Sequence, residues 1–215
     1  MFIKYPHFCV KIISILLISI SNHGFAEQFK GLVGEIEPAT GRYTAADKSF
    51  QVTLPVKGTM DYILNTVTDR FTTRGSLVSI KPEKNASTYR LETSYVVDTQ
   101  ERNTGFLEAS AKTIDWYRRL AARAYRGKLY ELSTQPFDLD GKQAIAAIYK
   151  QFATENNGPR FHLFYLADFN KKLAFVWTDV PLTLEDLEYE EQIITGKAIE
   201  AKKSLAMLRS LRFDE

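Results

Sequence analysis

His162 is the side chain whose chemistry is best suited to acid–base catalysis. The sequence holds 3 histidines, and the other two, His7 and His23, lie in an N-terminal segment that we expect to be removed. A histidine acts as a general base when a carboxylate orients it and a nucleophile lies within hydrogen-bond reach, and Asp168 or Asp179 could supply that carboxylate. No Gly-x-Ser-x-Gly motif accompanies it. We therefore assign no catalytic residue, predict that His162 is a hydrogen-bonded strand residue, and rank a hydrolase last of three hypotheses.

The acidic residues and the cysteine indicate neither a metal ion nor a cofactor. Cys9 is the only cysteine, and it falls in the segment that we expect to be removed, so no thiolate ligand or disulfide remains. Residues 138–141 resemble the start of a calcium loop, but Lys142 and Ala144 stand where later oxygen ligands belong. The acidic run at 185–191 is typical of a helix start, where the macrodipole favours carboxylates.

A basic cluster is the feature that most favours binding. It consists of Arg118, Arg119, Arg123, Arg126 and Lys128. On a helix, Arg119, Arg123 and Arg126 follow one another at steps of four and three and share a face. Guanidinium groups bind carboxylates and phosphates bidentately, so the cluster predicts a contact surface for an unknown envelope protein or an anionic surface. The alternative is that each arginine pairs with an acid of its own domain or keeps the helix soluble.

Aromatic residues are concentrated in a second segment, residues 161–177, and they suggest another kind of binding. We single out Phe161, Phe164, Tyr165 and Trp177. Aromatic side chains on both faces of a strand pair indicate either a covered, packed core or an apolar pocket. The core interpretation is favoured, and a carrier of a small apolar or amphipathic ligand is the alternative function.

These residues need strands and helices to position them. Alternating apolar residues predict strands at 50–55, 89–97, 129–132, 144–152, 160–167 and 172–177. A three- and four-residue periodicity predicts one helix over 104–126, stopped by Gly127, and a second from about residue 196. The apolar faces are predicted to contain Leu107, Ala111, Ile114, Tyr117, Ala121 and Tyr125 in the first helix, and Ile199, Ala206, Leu208 and Leu211 in the second. Adjacent hairpins require antiparallel pairing, so the fold class is α+β: an α-β-α sandwich with a mainly antiparallel sheet flanked by helices.

The N-terminus has the pattern of a secretory leader. Lys4 precedes a mostly apolar stretch at 9–20, and Gly24 and Ala26 stand at the small-residue positions of a cleavage site. We predict a signal peptide at 1–26 that is cleaved, and a single globular α+β domain at 27–215 that is periplasmic or secreted. No transmembrane segment is expected after processing. Loss of Lys4 and Lys11 takes the formal charge from +2 to about 0, so the charge balance does not indicate nucleic acid.

Two short motifs carry a resemblance to a known family. Arg42-Tyr43 is followed after a polar gap by Ser49-Phe50-Gln51-Val52-Thr53-Leu54-Pro55, and the chain ends near Ser210-Leu211-Arg212-Phe213. With the order of elements, these motifs resemble the PsbP-like superfamily, including the DcrB-like bacterial envelope proteins. The resemblance implies an α-β-α sandwich around an antiparallel sheet. It also implies a class of small secreted accessory or binding proteins, and it carries no catalytic residue over. The leading hypothesis is therefore a non-catalytic binding or accessory module of the bacterial envelope.

Overall fold

Ten strands and three helices make up the part of the chain that the structure describes. The structure is a computed structural model. It describes residues 35–37, 39–45, 48–54, 62–68, 75–82, 93–154, 158–182 and 187–213. The strands are β1 (Glu35–Glu37), β2 (Arg42–Thr44), β3 (Gln51–Thr53), β4 (Tyr62–Thr68), β5 (Gly75–Pro82), β6 (Ser94–Glu101), β7 (Leu129–Leu139), β8 (Lys142–Gln151), β9 (Arg160–Phe169) and β10 (Lys172–Pro181). The helices are α1 (Phe106–Ala124), α2 (Leu187–Ile194) and α3 (Ile199–Ser210). The predicted leader at 1–26 and the start of the predicted strand, 89–92, lie outside the described residues.

The strands form a large sheet and a small one. The large sheet has seven antiparallel strands in the order β4-β5-β6-β10-β9-β8-β7, and the small sheet pairs β1, β2 and β3. The four strands from β7 to β10 are the two predicted hairpins, which are confirmed. β4 and β5 were not predicted, because residues 62–68 and 75–82 do not alternate cleanly between apolar and polar types.

Tight turns connect the strands of both hairpins. At the first, Asp140 and Gly141 have φ values of 54° and 82°, and the Asp138 carboxylate accepts a hydrogen bond from the Gly141 amide at 2.9 Å. At the second, Asn170 and Lys171 have φ values of 48° and 73°. Two successive residues at positive φ match the twist of antiparallel strands. The turns therefore fix the register that aligns the ends of all four strands.

Helices cover both faces of the large sheet, as predicted, so the α+β sandwich is confirmed. On one face α1 packs through Ile114, Tyr117 and Ala121 onto the central strands. On the other face α2, α3 and the small sheet share a second core. β8, β9 and β10 are buried along nearly their whole length, because each has a covering layer on either side.

The buried faces of the helices differ in part from the prediction. In α1, Leu107 is 68% exposed, and Ser110 and Thr113 are buried. In α3, Ile199 is 57% exposed, while Ser204 is buried and bonds the Glu200 carbonyl at 2.7 Å. Ala111 and Ala206 are exposed as well. Small hydroxyl side chains allow a helix to approach the sheet closely, and a pattern based on apolarity cannot identify them.

Candidate functional site

The basic cluster predicted from the sequence divides into two parts in the structure. Arg118 and Arg119 lie on α1 and both donate to Asp115, the Arg118 bond being 2.8 Å long. Hydrogen bonds from Arg119 and then from Arg118 lower the pKa of Asp115 to about 2. These two arginines therefore fit the alternative in which the basic residues pair with acids of their own domain.

Arg123, Arg126 and Lys128 make up the second part, which we call the basic corner. All three are exposed, and within the described part of the chain no ion pair joins any of them to an acid. They lie at the C-terminal end of α1 and in the segment that leads into β7. The helix macrodipole favours cations at this end, so they stabilise the helix and also remain accessible to a partner.

The chain leaves α1 in a different way from the prediction. The helix ends at Ala124, so Arg126 does not continue the helical face of Arg119 and Arg123 but takes a left-handed φ of 53° in the turn. Gly127 was predicted to end the helix. In the structure its backbone instead lies close to the Gln151 side chain, and a Cβ at this position would collide with the Gln151 amide. The left-handed conformation at Arg126 turns the chain from the helix axis toward β7.

Tyr125 fastens the end of α1 to the sheet. Its hydroxyl donates to Asp179, and its ring lies 4.3 Å from the guanidinium carbon of Arg160. Its carbonyl accepts a hydrogen bond of 3.2 Å from the Gln151 amide. Side chains on an element that is fixed by packing and hydrogen bonds are positioned more precisely than those on a loose loop. The basic corner therefore lies beside a part of the structure that packing and hydrogen bonds hold rigid.

A buried ion pair lies at the centre of this rigid region. Arg160 Nε lies 2.7 Å from Asp179 Oδ1 and Arg160 Nη2 lies 3.0 Å from Oδ2, a bidentate arrangement. The two side chains are only 2% and 3% exposed. Burial alone would lower the pKa of Arg160, but the hydrogen bond and charge of Asp179 outweigh it and the pKa is raised. Because alternate strand residues share a face, both side chains lie on the α1 face of β9 and β10.

His162 lies in the same buried group, and its surroundings favour a structural role. Its ring is fully buried. Nδ1 accepts a 3.3 Å hydrogen bond from Trp177 Nε1, and Nε2 lies 3.2 Å from Gln151 Oε1, so the neutral ring carries its proton on Nε2. Asp179 Oδ1 is 3.7 Å from Nδ1, while Asp168 instead pairs with Arg102 at 2.6 Å. Burial lowers the pKa of His162 to about 4, Asp179 opposing and Arg160 adding to that effect.

The four aromatic residues predicted as a pocket lie in the two cores. Phe161 and Tyr165 belong to the core under α2 and α3. Phe164 and Trp177 belong to the core under α1, with ring centroids 6.0 Å apart. The sheet separates these pairs, so the structure brings Phe164 and Trp177 together but does not gather all four around one cavity.

Sequence reasoning missed several residues of this region. Trp116 and Leu120 lie on α1 and are 40% and 39% exposed. They are one turn apart, and Leu120 is three residues from Arg123, so the three positions adjoin on the helix surface. This proximity could have been predicted from the sequence spacing alone. Arg160 was not singled out because an arginine at the start of a strand is usually solvated. The available signal was the hairpin register: a turn at 170–171 sets His162 opposite Asp179, which puts Arg160 diagonal to that carboxylate.

Solved structures match this chain, whereas no protein-family model and no curated protein does. A cyanobacterial PsbP protein, CyanoP from Synechocystis sp. PCC 6803, is 12% identical over 84% of this chain and 96% of its own, with a TM-score of 0.51. The Ran-binding protein Mog1p of Saccharomyces cerevisiae is 12% identical over 85% of this chain and 96% of its own, with a TM-score of 0.48. A protein from Bacteroides thetaiotaomicron is 9% identical over 86% of this chain and 49% of its own, with a TM-score of 0.43. The CyanoP match confirms the PsbP-like resemblance as a likeness of fold.

Two features of the described residues concern metal ions and membranes. No group of three or more His, Cys, Asp or Glu side chains there is placed to hold a metal ion. None of the helices described above combines the length and the apolar character that a membrane crossing requires.

Proposed function

We propose that this chain is a non-catalytic binding or accessory module of the bacterial envelope, periplasmic or secreted, and that its basic corner docks onto an acidic surface of a partner protein. The observation that carries the proposal is the basic corner itself. Arg123, Arg126 and Lys128 are exposed and lack an acidic partner among the described residues, whereas Arg118 and Arg119 already share Asp115.

The neighbours of the basic corner favour a protein as the partner. Trp116 and Leu120 are 40% and 39% exposed, and Leu120 is four residues from Trp116 and three from Arg123, so the three side chains adjoin on the helix surface. Tryptophan and arginine are enriched in protein interfaces, where they supply much of the binding energy. A simple anion would use the charges but would leave the adjacent apolar area without a contact.

The absence of a catalytic assignment rests on His162. Its two ring nitrogens are engaged by Trp177 and Gln151, and the ring is fully buried. A general base must reach the proton that it abstracts, and this ring would need the end of α1 to move away first. The hydrogen bonds instead support a role in fastening the layers together.

The envelope location rests on the leader pattern. The apolar stretch, Gly24 and Ala26 are what a signal peptidase substrate presents. A fusion of residues 1–26 to a reporter that is active only after export tests this part separately. An inactive, unprocessed fusion would contradict the envelope location and would leave the docking proposal standing on its own test.

Crosslinking in the periplasm, followed by mass spectrometry, identifies the partner. Wild type is compared with Arg123→Glu/Lys128→Glu, which spares Arg119 and its bond to Asp115. The matched control is Lys202→Glu/Lys203→Glu, which reverses two exposed charges on α3. We expect one protein to be captured by wild type and by the control and to be lost from the basic-corner variant.

Binding of the purified partner then decides the proposal. Affinity should fall by more than about tenfold in the basic-corner variant, equivalent to about 1.4 kcal/mol, stay near wild type in the control, and weaken with salt. Vesicles with and without anionic phospholipid are titrated in parallel. If the variant-sensitive binding goes to anionic vesicles and no protein shows it, docking on a partner protein is wrong.

The ligand-carrier alternative receives little support from the described aromatic residues. Phe161 and Phe164 are fully buried, and Trp177 is 8% exposed, with neighbouring rings in contact. A ligand among them would have to displace packed side chains, at a cost typical of core overpacking. Native mass spectrometry of protein purified from its own host tests the alternative, and a bound apolar mass would restore it.

A further inference from the structure

A cleft at the tips of the two hairpins has the composition of an anion-binding site. It measures about 780 Å³, and its wall includes Lys142, Lys172, Arg209 and Arg212. Lys142 and Lys172 begin β8 and β10, and the arginines come from the end of α3 and the residues after it. The cleft therefore lies at the end of the strands opposite to the basic corner.

Among the described residues, aromatic rings and not carboxylates hold the two lysines. Lys142 Nζ lies 5.2 Å from the ring centroid of Phe169, and Lys172 Nζ lies 4.8 Å from that of Phe213. The two rings contact each other edge to face at 5.3 Å. A cation over an aromatic face is attracted by the ring quadrupole, but it forms no ordinary hydrogen bond there. Each ammonium therefore keeps N–H donors for an incoming anion.

The acids of the cleft are already neutralised. Asp168 is bound bidentately by Arg102, at 3.1 Å and 2.6 Å. Asp140 faces Arg209, with 3.4 Å between Oδ2 and Nε. Among the described residues no ion pair joins Lys142, Lys172 or Arg212 to an acid, so the cleft has an excess of positive charge.

One wall of the cleft is fixed before any ligand arrives. The backbone of Arg212 makes two hydrogen bonds with Gln51, of 2.8 Å and 2.9 Å, that join the end of the chain to β3. Arg212 Nη1 donates to the carbonyls of Arg209 and Leu211 at 2.9 Å and 2.8 Å. A guanidinium held in this way keeps its other N–H groups for a ligand, and preorganisation reduces the entropy lost on binding.

We infer that this cleft binds a small ligand with at least two oxyanion groups, such as an organic diphosphate or an oligocarboxylate. Lysine binds phosphate and carboxylate oxygens as a point charge, and arginine binds them with its planar fork. The volume lies in the range of small-molecule sites and exceeds what a single inorganic anion fills. The inference is independent of the partner proposed for the basic corner.

Isothermal titration calorimetry with pyrophosphate and with citrate tests the site. The protein is expressed with its own leader and purified. We expect Lys142→Gln/Lys172→Gln to weaken binding of at least one probe by about tenfold or more, because charge-assisted hydrogen bonds are lost. Lys172→Arg keeps the charge and should keep the binding. The control Lys202→Gln/Lys203→Gln removes two exposed charges from α3 and should change affinity by less than about twofold.

Two outcomes overturn the inference. One is equal weakening in the cleft variant and in the control, since binding would then follow net charge alone. The other is that neither probe binds to wild type and neither binds to a shortened chain that stops at Phe213. The shortened chain is included because Asp214 and Glu215, which lie outside the described residues, carry the same chemistry as the probes. Binding to the shortened chain alone would support the site and identify its competitor.

Discussion

Removal of one charge from the buried ion pair should destabilise this domain severely. Asp179→Asn keeps the size of the side chain but removes the charge that compensates Arg160, whose side chain is 2% exposed. The guanidinium would remain enclosed by the end of α1 and by β9, with the Tyr125 ring 4.3 Å away. Because the Arg160 side chain is almost fully buried, water can replace the carboxylate only if the side chains around it move apart.

The expected loss follows from the burial of both partners. Removing one member of a buried ion pair costs about 3–5 kcal/mol, because an uncompensated charge stays in a low-dielectric site. In a domain of this size each 1 kcal/mol shifts the melting temperature by about 2–4 °C, so Tm should fall by about 6–20 °C. Arg160→Met/Asp179→Asn removes both charges of this pair and should be more stable than Asp179→Asn alone.

Urea unfolding followed by circular dichroism measures the free energy of unfolding of each variant. The control is Glu108→Gln, which breaks the exposed Glu108–Lys112 pair of α1, whose side chains are 57% and 68% exposed. That change should cost no more than about 0.5 kcal/mol. A loss below about 1 kcal/mol for Asp179→Asn, or a double variant no more stable than the single one, would refute the reasoning about the buried charge.

Three further predictions concern the same group. Protonation of His162 has a pKa of about 4 in the folded state against 6.5 for the free side chain, so stability should fall by about 3 kcal/mol as pH drops from 6.5 to 4; urea unfolding of His162→Gln should show a flatter pH profile. Gly127→Ala should cost about 1–3 kcal/mol by displacing the Gln151 amide, whereas Gly105→Ala, with open space around the new Cβ, should lower the melting temperature only slightly. Tyr125→Phe keeps the ring over the guanidinium and should cost about 1–3 kcal/mol of unfolding free energy for the lost hydrogen bond; a neutral effect would mean that water replaces the hydroxyl.

The hairpins could be predicted from the sequence because each consists of a tight turn and the two strands directly beside it in the chain. Asp140-Gly141 forms a tight turn in the structure, and the runs on either side pair without needing any distant contact. The face of α1 is different, since it depends on how the helix lies on the sheet. Ser110 is fully buried and Leu107 is 68% exposed, the reverse of what hydropathy favours, and only the packed layers decide it.

The candidate sites were predictable to unequal degrees for the same reason. The basic cluster could be found by helical spacing, but the pairing of Arg119 with Asp115 and the departure of Arg126 from the helix depend on side-chain and backbone geometry. The cleft at the hairpin tips combines Lys142, Lys172 and Arg212, which are far apart in sequence and meet because two turns align the strand ends. No spacing rule joins such positions before the register is known.

The separation of the two proposed sites makes their tests independent. β8 runs for 10 residues from Lys142 at the cleft to Gln151 beside the basic corner, and at about 3.3 Å per residue this is about 30 Å. Exposed charges that far apart are screened from each other at physiological salt. Each pair of substitutions should therefore weaken one kind of binding: Arg123→Glu/Lys128→Glu the partner protein, and Lys142→Gln/Lys172→Gln the small anion. If both variants weakened both, a general attraction between a positive surface and any polyanion would explain the data, and neither site would be specific.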